Sequence, residues 1–146
     1  MNKKTDDGSA LASLVRGELA AVETYKQALE KLPDGPASGE LQRIEAEHED
    51  AVRLLQERMA RSSSKVQTHS GTWGEWAKVV EGAAKAFGKK AAIKALKEGE
   101  EHGIHGYVDA LVSDKLDTET KRIIRSSLLP KTEAHIPVLD RLLQTA

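Results

Sequence analysis

One pattern that occurs twice constrains this chain more than anything else in it. Gly17-Glu18 is followed after six residues by Tyr25, and after two more by Ala28-Leu29. Gly99-Glu100 is followed at the same spacings by Tyr107 and Ala110-Leu111. Two histidines repeat in the same manner: His48 precedes Val52 and Leu55, and His135 precedes Leu139 and Leu142. Matched halves of this kind predict two helical hairpins related by an approximate two-fold axis. The polar members stand on apolar stripes. Glu18 lies between Leu14 and Val22, Glu100 between Leu96 and Ile104, and His135 between Leu128 and Leu142. Glu45 and His48 share a helix face with Leu41, Ile44 and Val52, because residues three and four apart are neighbours on a helix.

Apolar residues recur at helical spacing and strand-like alternation is nearly absent, so the fold class is all-α. The first helix is expected over 9–32, after a flexible tail over 1–8. Pro33-Asp34-Gly35-Pro36 forms a stop, and Pro36 opens a second helix that runs to about Arg61. A polar crossover follows. Thr72 and Glu75 read as a capping box for a short extra helix that carries Trp73, Trp76, Val79, Val80 and Phe87. Gly88 marks a bend before the third main helix, 89–112. Asp117 is the expected cap of the fourth, which runs to about Gln144 and should be kinked by Pro130 and Pro137. Short, long and short connections suit a single four-helix-bundle domain over 9–146 with one crossover.

Three inward carboxylates, Glu18, Glu45 and Glu100, are hard to sustain in a domain whose stability is only about 5–15 kcal/mol. They must be protonated, hydrated, paired with His or Tyr, or bound to a cation. Glutamate with Glu-x-x-His makes a hard-oxygen and imidazole site that suits Fe or Mn, and less selectively Zn. The matched Gly17 and Gly99 predict close approach of the first and third main helices.

Several classes are disfavoured. Lys and Arg number 22 against 23 Asp and Glu, and aromatics are 3% of residues, so nothing favours a nucleic-acid partner. There is no cysteine, which removes thiolate metal sites and disulfides. No apolar run has the length of a membrane span, and the polar start lacks a signal core. A cytoplasmic location is the expectation. His102 and His105 flank the third-helix stripe and read as surface residues.

At these residues the chain resembles the ferritin-like superfamily. Over nearly its whole length it is similar to a bacterial family of ferritin-like domains without assigned function. The stretches that carry the second likeness are 16–25, 71–77, 95–103 and 128–136. The resemblance implies a metal set of Glu18, Glu45, His48, Glu100 and His135, with Tyr25 and Tyr107 as hydrogen-bond partners of the ligands. Glu18 would be a terminal ligand and Glu45 a bridging one, with His48 completing one site; Glu100 and His135 would hold a weaker second site. The chain departs from the pattern at Thr132, where the superfamily has the glutamate three residues before the fourth-helix histidine.

Two functional expectations follow. One is a bundle of unassigned function with a degenerate buried Glu/His site, structural or partner-binding, in which Trp73 and Trp76 either cap the bundle or join copies in a homodimer or higher homo-oligomer. The other is a non-haem iron or manganese protein that oxidises Fe(II) or removes peroxide, as the resemblance implies. No catalytic residue is derived for either.

Overall fold

The structure, a computed structural model, describes residues 3–32, 34–62, 68 and 75–146. Among these residues the chain is all-helical and contains no strand. The elements are α1 (Lys3–Lys31), α2 (Pro36–Arg61), α3 (Glu75–Phe87), α4 (Lys89–Val112), α5 (Thr118–Ile123), a π-helical segment Ile124–Leu128, and α6 (Leu129–Thr145). The expected cap at Thr72 and the packing of Trp73 and Trp76 fall outside the described residues and side chains.

Local chemistry sets most of the boundaries. Pro36 begins α2, where its missing N–H is no loss. Gly88 separates α3 from α4 with φ 88°, a left-handed conformation that favours glycine. The Asp117 side chain accepts the Thr120 N–H at 2.7 Å and caps α5. Helix α1 begins at Lys3, inside the segment that the sequence suggests is a tail.

The two prolines of the last helix act differently from one another. In the π segment the Leu129 N–H bonds back to the Ile124 carbonyl, so the turn is one residue wider than in an α-helix. Pro130 follows at once, in the first turn of α6. The wide turn relieves the clash that a proline ring makes with the preceding turn. Pro137 lies inside α6, which continues past it. Its exposed position leaves the orphaned carbonyl of Glu133 on the solvent side.

Two apolar clusters hold the helices together. The first includes Tyr25, Leu41, Ile44, Val80, Ile93, Leu96 and Leu139. The second includes Leu11, Val15, Ala51, Leu55, Tyr107, Ala110, Ile124 and Leu128. Their order along each helix gives the topology. Helices α1 and α6 run from the second cluster to the first; α2 and α4 run from the first to the second. Each hairpin is therefore antiparallel, but α2 and α4 share a direction. The chain between them must return the length of a helix, which explains the long connection. The described part of that connection, α3, packs on α1 and α4. Between the two clusters, at mid-height, lie the buried polar residues Glu18, His48, Glu100 and His135.

Candidate metal centre

Each of the four long helical stretches sends one polar side chain into this middle layer. Glu18 comes from α1, His48 from α2, Glu100 from α4 and His135 from α6, all at most 6% exposed. The apolar neighbours one turn away on either side set the helix rotation and turn these positions inward. Burial of this kind requires every lone pair and proton to find a partner.

The partners are exchanged between the two halves. Tyr25 donates its hydroxyl to Glu100 Oε1 at 2.7 Å, and Tyr107 donates to Glu18 Oε1 at 2.6 Å. The repeated Glu–Tyr spacing thus serves the opposite hairpin, not its own. His48 stands at the centre. Its Nδ1 is 2.5 Å from Glu18 Oε2 and its Nε2 is 2.7 Å from Glu100 Oε1. Carboxylates only accept, so both nitrogens donate and the ring is an imidazolium. The ring stacks on Tyr25, with centroids 5.5 Å apart, and lies 5.0 Å from the ring of His135. His135 Nδ1 is 3.1 Å from Glu100 Oε2.

The electrostatics follow from these contacts. Burial alone pushes the His48 value down, but the charges of Glu18 and Glu100 and their hydrogen bonds outweigh it and hold it well above 6.5. Burial likewise raises Glu100, and the His48 charge with the bonds from His135 and His48 overcomes this, bringing the carboxyl down to about 2. Both tyrosines are raised well above 10.0, first by burial and then by the facing carboxylates, so they remain donors.

One site residue read from the sequence does not join the group. Glu45 is half-buried on the flank of α2, with Glu49 and Lys26 as its charged neighbours. Three residues are 300° of helix, so the rotation that aims His48 inward leaves Glu45 about 60° off the axis. The residue that arrives instead is Glu47, whose Oε2 lies 3.5 Å from His135 Nε2. That approach counts as an ion-pair distance but is too long for a hydrogen bond, and His135 Nε2 has no hydrogen-bond partner among the described residues. Sequence pattern missed Glu47 because it reads as an exposed charge. The hint was Arg43 one turn earlier, which donates to Glu47 at 3.1 Å and anchors it.

Thr132 is buried and turns its hydroxyl back to the Leu128 carbonyl at 2.8 Å. Glu133 points outward and supplies no replacement carboxylate. His102 and His105 are exposed, as expected.

Gly17 has a different role from the one expected. A Cβ at Gly17 would meet nothing within 4 Å, so this position is not a point of close helix approach. Gly17 and Gly99 instead line a cavity of about 120 Å³ between α1 and α4, with Gly103, Gly106, Glu18 and Glu100. A smaller gap of about 10 Å³ lies on the other side of the cluster, against Glu47, Thr132 and His135.

The donor set can hold a cation. Among the described residues, His48, Glu100 and His135 each offer a ligand atom, and the three atoms lie within 4.8 Å of one another. Two imidazoles and one carboxylate form a set suited to divalent transition metals. No helix among the described residues is long and apolar enough to cross a membrane. A family model described as a domain of unknown function, DUF2383, matches residues 6–113. No curated protein and no solved structure matches the chain.

Proposed function

The chain belongs to the DUF2383 family, whose description assigns no activity, and we propose that it is a ferritin-like bundle that holds a divalent transition metal, iron or manganese, in its core. The observation that carries this reading is the convergence of His48, Glu100 and His135 from three helices within 4.8 Å. The crossover topology supports the ferritin-like assignment.

In this reading His48, Glu100 and His135 hold the metal, and Glu18 stands beside it as a further carboxylate. Tyr25 and Tyr107 fix the carboxylates by donating to Glu100 and Glu18. The apolar residues above and below keep bulk water from the middle layer. The cavity along α1 and α4 gives a small molecule a path to Glu18 and Glu100. A bound iron or manganese would supply one-electron redox chemistry there. Thr132 leaves the ligand set asymmetric, which favours one tight position over a matched pair.

A second reading has its own observation. With His48 bonded to both Glu18 and Glu100, most of the network is satisfied by a proton in place of a metal. The cluster would then be structural, and function would lie in contacts at exposed apolar residues such as Phe87 and Val112, including contacts between copies.

Anaerobic titration with Fe(II) and with Mn(II) separates the two. The metal reading expects saturation at a defined ratio, and loss of that binding in the double variant His48→Ala, His135→Ala. Absence of saturable binding in the wild type leaves only the structural reading.

A further inference from the structure

The two histidines of the cluster are partnered unequally. Both nitrogens of His48 face carboxylates at bonding distance. His135, 2% exposed, has one such bond, from Nδ1 to Glu100 Oε2 at 3.1 Å. Its Nε2 has no hydrogen-bond partner among the described residues and stands 3.5 Å from Glu47 Oε2, beyond bonding distance.

A cation shared with Glu100 and His48 meets His135 on the side that faces Glu100, which is Nδ1. Coordination there requires the lone pair at Nδ1, so the ring proton must sit on Nε2. In this buried layer an N–H needs an acceptor. Glu47 is the carboxylate already aimed at that atom. Arg43 Nη1 holds it from the outside at 3.1 Å, and the gap of about 10 Å³ beside it leaves room to close a few tenths of an ångström.

We infer that Glu47 is a positioning residue, which accepts the Nε2–H of His135 and so selects the ring tautomer whose Nδ1 binds the metal. The inference rests on the metal reading given under Proposed function. It gives His135 the two-carboxylate environment that His48 already has. Metal-binding histidines commonly donate their second N–H to a carboxylate, and loss of that partner typically weakens binding about 10- to 100-fold.

The test uses the full chain and Zn(II), which is diamagnetic. Zn(II) affinity is measured for the wild type, Glu47→Leu and Glu47→Gln, with ¹⁵N-histidine NMR of the wild type in the same titration. The expected result is a wild-type His135 that is protonated at Nε2 and zinc-bound at Nδ1. Glu47→Leu should bind about 10- to 100-fold more weakly. Glu47→Gln, whose amide oxygen still accepts, should recover most of the loss. Equal affinity of wild type and Glu47→Leu overturns the inference, as does coordination through Nε2; both leave the metal reading standing. A wild type that takes up no metal removes both. If Glu47→Leu does not fold, the tautomer in the wild type decides alone.

Discussion

His48 bonds to two carboxylates from two different helices, so its removal has a larger effect than the loss of one buried side chain. His48→Ala leaves Glu18 and Glu100 facing each other across the space vacated by the ring. Breaking a buried ion pair from one side costs about 3–5 kcal/mol, and chemical denaturation should show a loss of that size. Tyr107→Phe removes one charge-assisted bond to Glu18 and should cost about 1.5–3 kcal/mol by the same measurement. The protonation states also give the pH dependence of the metal-free protein. The folded value of Glu100, about 2, is below its ordinary 4.5, so its stabilising contribution is present above 4.5 and is lost as pH falls toward 2. The folded value of His48 is raised, so its contribution is present below 6.5 and is lost as pH rises through the raised value. Melting temperature against pH should therefore fall on both sides of a plateau between about 4.5 and 6.5. At this scale the sequence was readable where a polar residue stood among apolar neighbours on both sides, as with Glu18, Glu100 and His135. It misled at Glu45, because a three-residue spacing places two side chains near one face without deciding which of them meets the core. The Arg43 spacing hints at an anchored Glu47, but its approach to His135 depends on how α2 and α6 pack.

The elements were legible where a residue has a specific backbone preference. Pro36 and Gly88 delimit α2 and α4 at the expected positions, and Asp117 caps α5 as its type suggests. Asp117→Ala should destabilise the protein by about 1 kcal/mol, because the Thr120 N–H loses its acceptor and Arg58 loses one of its two partners, the carboxylate at 3.3 Å. The start of α1 was not legible, since residues 3–8 carry no apolar stripe and helix there depends on propagation from the packed part. The π segment was equally hidden. Pro130 announced a disturbance, but whether the chain kinks or widens by one residue is decided by how Ile124 and Leu128 reach the core. The glycine spacing suggests close packing, but the space around Gly17 is open. A repeated glycine reports only that a side chain is missing, and both a tight contact and a cavity produce that pattern.

For the molecule as a whole, the repeat was informative because the two halves complete one another. Tyr25 serves Glu100 and Tyr107 serves Glu18, so each glutamate takes its tyrosine donor from the opposite hairpin. The cluster therefore couples the hairpins, and a cation there should stabilise the whole assembly. At a free metal concentration 100 times the dissociation constant, linkage gives about 2.7 kcal/mol, which calorimetry should register as a higher melting temperature. Because the cation takes a place now held by the His48 imidazolium, uptake should release protons, measurable as buffer-dependent heat in titration calorimetry. The most direct measurement of the central claim is anomalous diffraction at the manganese edge from crystals grown with Mn(II). A single strong peak enclosed by His48, Glu100 and His135, with Glu18 adjacent, is the expected result. A map without density there, with the His48 bonds to Glu18 and Glu100 intact in the presence of excess Mn(II), would contradict it.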